Sequence, residues 1–196
     1  MSEKSSFCYM CDSSATSWEH VPPKCVFPAN RDIDGVDLRA NLVTVPSCEA
    51  HNSAKSKDDE FLMVSIAGIL GNNSIGYRHR LTKVDRAIRR SSGKLLDSVF
   101  LKRTHYPLPS TNQGNSFLEV IWGTPDHVRL EKCFKQIALG LYFHQFGHRF
   151  KDQLKVFMAH LNYSDKNTAT FAVFIKHRAE LDLKDKERSG RNQEVF

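Results

Sequence analysis

The chain has 196 residues, 28 Lys and Arg against 22 Asp and Glu, a net charge of +6, and 40 % hydrophobic content. This is enough to build the core of one ordinary domain, or of a small domain with an extension. No run of roughly eighteen apolar residues is there to span a bilayer, so no membrane partner is expected, and the basic balance favours a polyanionic one.

The N-terminal stretch MSEKSSFCYMCDSS lacks the continuous apolar segment of a secretory signal, which makes a cytoplasmic location the expectation. Residues 1–55 hold four of the five cysteines, turn-forming pairs such as Pro22-Pro23 and Asp34-Gly35, and little helical periodicity. Strands, turns and metal are expected there. Asn41 to Val45 reads as a short β-rich run, and helical character begins near His51. That helix continues through Phe61, Leu62, Val64, Ile66 and Ile69 until Gly71-Asn72-Asn73 stops it, with Lys55, Lys57, Asp58, Asp59 and Glu60 as a solvated face.

A second helix is expected from Tyr77 to Val99. Then Pro107 to Gly114 marks a loop, Ser116 to Trp122 alternates like a strand, and Gly123-Thr124-Pro125 reads as a turn. From Asp126 to Phe146 apolar residues recur at helical spacing, with Asp126 placed to cap the start and Gly147 to end it. Leu154 to Leu161 suits a strand, and Ala169 to Leu183 suits a strand or a helix. Lys184 to Phe196 is a charged tail.

The chemistry concentrates near the N-terminus. Cys8-x-x-Cys11 and Cys48-x-x-His51 are two short-spaced ligand pairs, and together they supply the four soft ligands of a tetrahedral zinc. A closed set of three Cys and one His leaves no open position, so this zinc is structural and any catalysis comes from groups it holds in place. Carboxylate, imidazole and amide groups lie alongside: Glu19-His20 before Val21-Pro22-Pro23, and Asn41 and Asn52 flanking the second pair. Their oxygen and nitrogen donors suit a hard divalent ion and a water. Cys133 reads as a core thiol, and His144 and His148 as packing or capping residues without a third ligand.

Glu19-His20 with a following Pro, Asn41-Leu42-Val43, and Cys48-x-x-His51-Asn52-x-x-Lys55-Ser56 together resemble the HNH endonuclease signature over about residues 8 to 58. The resemblance implies an α+β chain with a zinc-stapled ββα-metal unit in residues 1–74, followed by a mainly helical α+β region in residues 75–196. It departs from the commonest form: His51 falls where the second cysteine of the later knuckle stands, and Asn52 where the last motif His stands, as in HNN variants. On that pattern Cys8, Cys11, Cys48 and His51 hold zinc, while Glu19 and Asn52 hold Mg²⁺ or Mn²⁺. His20 is the general base, Asn41 orients it, and Lys55 steadies the phosphate. The expected reaction is hydrolysis of DNA phosphodiester bonds in phage defence or a mobile element.

The densest basic run, with Arg78, Arg80, Lys83, Arg86 and Arg90, is the expected face for double-stranded DNA. The C-terminal region would grip the duplex or form a homodimer, or a regulatory partner protein would activate the enzyme. A non-catalytic zinc-ribbon module that binds nucleic acid or a partner is the alternative.

Overall fold

The computed structural model describes residues 7–35, 37–69, 72–107, 119–156, 158 and 166–184. The fold is α+β, with two separate two-stranded antiparallel sheets among the described residues. The first sheet pairs β1 (Ser17–His20) with β2 (Thr44–Ser47) in the register Ser17↔Ser47, Trp18↔Pro46, Glu19↔Val45 and His20↔Thr44. The second strand thus starts three residues after Asn41 and ends two residues after Val45 relative to the expected run. Asn41 itself has φ 55, a left-handed conformation that Asn tolerates in turns but that cannot continue a strand. Pro46 lacks an N–H, which a two-stranded sheet accommodates, and its carbonyl accepts from the Tyr9 amide at 2.9 Å.

Directly after β2 comes α1 (Glu49–Asn52), a 3₁₀ turn over Ser53–Lys55, and α2 (Ser56–Ala67). The helix therefore starts at Glu49, just before the expected onset near His51, and Asn52 ends its first segment. Next come α3 (Ser74–His79), a π-helical turn over Arg80–Val84, α4 (Asp85–Arg90) and α5 (Lys94–Asp97). The expected continuous helix from Tyr77 is broken between α4 and α5, where Ser92 and Gly93 both take positive φ.

A hairpin of β3 (Phe100–Pro107) and β4 (Glu119–Pro125) follows. Gly123, Thr124 and Pro125 belong to its second strand, paired with Arg103, Lys102 and Phe100, where a turn had been expected. The expected loop beyond Pro107 and the first residues of the expected strand from Ser116 lie outside the described residues. The long helix α6 (His127–Phe146) matches its expected limits: the Asp126 side chain accepts from the Arg129 amide, and Gly147 closes the helix at φ 72. Residues 154–156 and 158 form no strand, and the rest of that expected strand lies outside the described residues. Helix α7 (Lys166–Lys184) resolves the open choice at Ala169–Leu183, and the tail beyond Lys184 lies outside the described residues.

Two apolar clusters hold this arrangement together. In the larger, Phe61, Leu62, Met63, Val64 and Ala67 of α2 pack with Val84, Ala87, Val99, Leu130 and Cys133. The smaller gathers Cys8, Tyr9, Val21, Val45, Cys48 and Phe143. Helix α6 contributes to both, because its buried positions Leu130, Cys133, Gln136, Gly140 and Phe143 recur every three or four residues along one face. Gly140 marks its closest approach, since a Cβ there would lie 2.7 Å from a Val21 methyl. Arg129 fastens α6 to the start of α2, donating to Asp58 at 2.8 Å and to the Lys57 carbonyl at 2.9 Å while its guanidinium lies over the Phe61 ring. No helix among the described residues is long and apolar enough to cross a membrane.

Candidate metal centre and adjoining cavity

Cys8, Cys11, Cys48 and His51 converge on one point, their ligand atoms all within 4.8 Å of one another. The His51 Nδ1 lies 3.5 Å from the sulfurs of Cys8 and Cys11 and 3.2 Å from that of Cys48, and the Cys11 and Cys48 sulfurs are 3.8 Å apart. Zinc with ordinary Zn–S and Zn–N bonds has ligand–ligand edges of roughly 3.5–3.8 Å, so the donor set and its spacing fit a tetrahedral ion such as zinc. The local chain makes each half of the site. A bridge between Phe7 and Ser14 and the Cys8 amide donating to Ser13 fold the first pair into a knuckle, and α1 brings His51 back over Cys48 by one turn. Hydrogen bonds from Ser13 hold the Cys11 thiol down to about 6, close to the thiolate that a metal requires.

A separate cavity of about 380 Å³ lies beside this cluster, lined by residues that include Glu19, His20, Asn52, Lys24, Lys57 and Asp59. Three residues expected to act together therefore share one cleft: β1 carries Glu19 and His20 to its edge, and α1 carries Asn52. Burial, with the charge of Lys24, lowers the pKa of His20 and keeps its imidazole neutral at pH 7. The Asn52 amide has a defined orientation. The single hydroxyl proton of Ser17 goes to the Ser47 carbonyl at 3.2 Å, and Asn52 Nδ2 donates to Ser17 Oγ at 2.7 Å, which leaves the Asn52 carbonyl oxygen outside that bond.

Glu19 is 5 % exposed and is bonded on all sides. It accepts from the Tyr9 hydroxyl and the Ser47 hydroxyl, each at 3.3 Å, and forms an ion pair with Lys55. Lys55, expected on a solvated face and against a phosphate, is 4 % exposed and points at Glu19. Its neighbours depart from that face as well. Asp58 pairs with Arg129 and Lys132, and Asp59 Oδ1 is buried with no hydrogen-bond partner, 3.7 Å from Lys55 Nζ. Burial raises the Asp59 carboxyl to about 6 against the opposing pull of Lys55, with Glu19 adding to the rise.

Asp59 is a cavity residue whose place there the sequence did not reveal. Its one available signal was spacing: Asn52, Lys55, Ser56 and Asp59 fall on one helical face. Asn41 is exposed, is not among the cavity-lining residues and makes no hydrogen bond to His20; it shapes the turn before β2.

Three of the five expected DNA-facing cations have intramolecular partners. Arg86 pairs with both oxygens of Asp32 at 2.8 and 2.9 Å, Arg78 with Asp34 at 2.6 Å, and Lys83 donates to the Cys25 carbonyl at 3.1 Å. Arg80 and Arg90 form no ion pair among the described residues. Cys133 is a buried core thiol, raised to about 11 by burial, and His148 packs against the rings of Tyr142 and Phe146. Comparison with protein families, with curated proteins and with solved structures finds no match to this chain.

Proposed function

We propose that the protein is a metal-dependent endonuclease of the HNH type, in its HNN form, with β1, β2 and α1 as a ββα-metal unit stapled by zinc. The observation that carries this is the shared cavity of Glu19, His20 and Asn52 beside, and distinct from, the Cys8/Cys11/Cys48/His51 cluster. Glu19 and Asn52 would hold Mg²⁺ or Mn²⁺. Their oxygens suit a hard divalent ion, the Asn52 carbonyl is left unengaged by Ser17, and a buried carboxylate oxygen of Asp59 in the same cavity lacks a hydrogen-bond partner. Such an ion supplies positive charge against the charge that builds on phosphorus oxygens during hydrolysis.

The chain's own part is proton transfer and positioning. An imidazole nitrogen of His20, neutral at pH 7, takes the proton of the attacking water. The zinc ligands Cys48 and His51 flank Asn52 and Ser47, so the staple fixes the residues that orient the cavity. The basic segment would contribute Arg80 and Arg90 to a DNA backbone, with the remaining cations committed to internal contacts.

One observation favours the zinc-ribbon alternative: the Lys55 ammonium already neutralises Glu19 without any divalent ion. Plasmid cleavage in Mg²⁺ or Mn²⁺ separates the two. His20→Ala should lower the rate at least 100-fold with zinc content unchanged, in line with loss of a general base. Undiminished cleavage by that variant would remove His20 from the reaction, and no cleavage by the wild type would favour the binding module or a partner-activated enzyme.

A further inference from the structure

Resting on the nuclease reading above, we propose that Asp59 is a third oxygen ligand of the divalent ion, and that the Lys55 ammonium holds the ion's place between Asp59 and Glu19. Lys55 Nζ contacts Glu19 Oε1 and lies 3.7 Å from Asp59 Oδ1, so two carboxylates from different elements face one positive charge. Lys55 and Glu19 are withdrawn from solvent, whereas Asp59 is 27 % exposed and turns only its Oδ1 inward. Lys55 and Glu19 are 4 % and 5 % exposed, and Asp59 Oδ1 is inaccessible and makes no hydrogen bond.

A buried carboxylate oxygen without a donor is costly unless a cation or water satisfies it. The ammonium carries one charge against two carboxylates and does not hydrogen-bond Asp59. A divalent ion matches the pair in charge and, unlike an ammonium, can take both carboxylates and the Asn52 carbonyl as direct oxygen ligands. The polypeptide favours this grouping, because Asn52, Lys55 and Asp59 lie at spacings of three and four along the helical segment and β1 places Glu19 opposite them. With the ion bound, the Lys55 ammonium gives up its place between the two carboxylates.

The two residues should therefore act on metal affinity with opposite signs, which a purely structural role for either would not produce. Mn²⁺ binding to the zinc-loaded full chain is followed by electron paramagnetic resonance, with zinc content and circular dichroism confirming the fold. Asp59→Asn should weaken Mn²⁺ binding at least tenfold, whereas Lys55→Met should strengthen it severalfold. Asp59→Glu, which keeps the carboxylate, should recover part of the lost affinity.

Wild-type affinity in Asp59→Asn overturns the ligand assignment, and unchanged or weakened binding in folded Lys55→Met overturns the place-holding role. If the wild type binds no Mn²⁺ that Glu19→Gln or Asn52→Ala can abolish, the divalent-ion site itself fails, and the proposal fails with it by a different readout.

Discussion

His79 shows how a single buried group ties this fold to pH. It is 3 % exposed, its Nε2 meets the Cys25 carbonyl at 3.1 Å, and its Nδ1 is buried without a partner. Burial, reinforced by the charge of Lys83, holds the imidazole down at about 4. An unfolded His titrates near 6.5, so between those values the unfolded chain binds the extra proton and the folded one does not. The stabilisation is complete above about pH 6.5 and fades as the pH falls toward 4, a loss of about 2 kcal/mol between pH 7 and pH 5. The candidate metal ligands also protonate in acid, which a comparison with His79→Gln at matched pH removes. The gap in denaturation midpoint between wild type and variant should narrow toward pH 5; a gap constant with pH would mean that His79 is not held neutral. The same residue marks a limit of sequence reasoning. A His in the run Arg78-His79-Arg80 looks like part of a charged surface, and only its packing against Cys25, 54 positions away, makes it a neutral core group.

At the scale of elements, the contact of α6 with the end of β1 positions the cavity wall. Val21 follows His20 directly, and its methyls fill the space where a Gly140 side chain would stand. Gly140→Ala adds helix propensity of roughly 1 kcal/mol but forces a methyl into a packed contact, an overpacking cost of about 1–3 kcal/mol. A net loss of stability is expected in chemical denaturation. Val21→Ala should cost less in the Gly140→Ala background than in the wild type, because it vacates that space. Purely additive effects would show that the two residues do not meet. Elements with local signals were legible here: Asp126 and Gly147 delimit α6 by capping chemistry that depends only on neighbouring residues. Strand β3 was not, because residues 101–104 are all exposed and carry no alternation between core and solvent. The hairpin is defined by backbone pairing with β4, whose residues 119–122 fall in the alternating run expected as a strand, while β3 carries no such pattern.

Across the whole molecule the candidate metal site takes up part of the core. Two of the six buried members of the smaller cluster, Cys8 and Cys48, are themselves candidate zinc ligands, and the remaining four side chains come from the first knuckle, from β2, from α6 and from the residue after β1. Stability there should be linked to the metal, whereas the cluster built on α2, Val84, Val99 and α6 contains none of the four ligands. Chelation of the metal is therefore expected to abolish hydrogen-exchange protection at Tyr9, Val21 and Val45 while leaving the Phe61–Val64 segment protected. Retained protection in the metal-free protein would show that the knuckles fold without an ion. The basic run changes meaning at this scale as well. Arg86 and Lys83 fasten α4 and the π-helical turn before it to Asp32 and Cys25, so the cations that looked like one continuous DNA face are divided between internal ties and surface.

What depends on short covalent spacing was legible from the residues alone: the two ligand pairs, the order of Glu19, His20 and Asn52 around them, and the capped helix α6. Spacings of three or four residues fix relative position through local backbone geometry alone, so they can be seen without the fold. Which charges meet was set by how separate elements pack. Lys55, Asp58 and Asp59 have the composition of a solvated helix face, yet β1 and α6 close over them and turn all three inward. Ion pairs across 36 or 71 positions, Glu19 with Lys55 and Asp58 with Arg129, follow from the packing of separate elements, which burial and long-range closure set and local spacing does not.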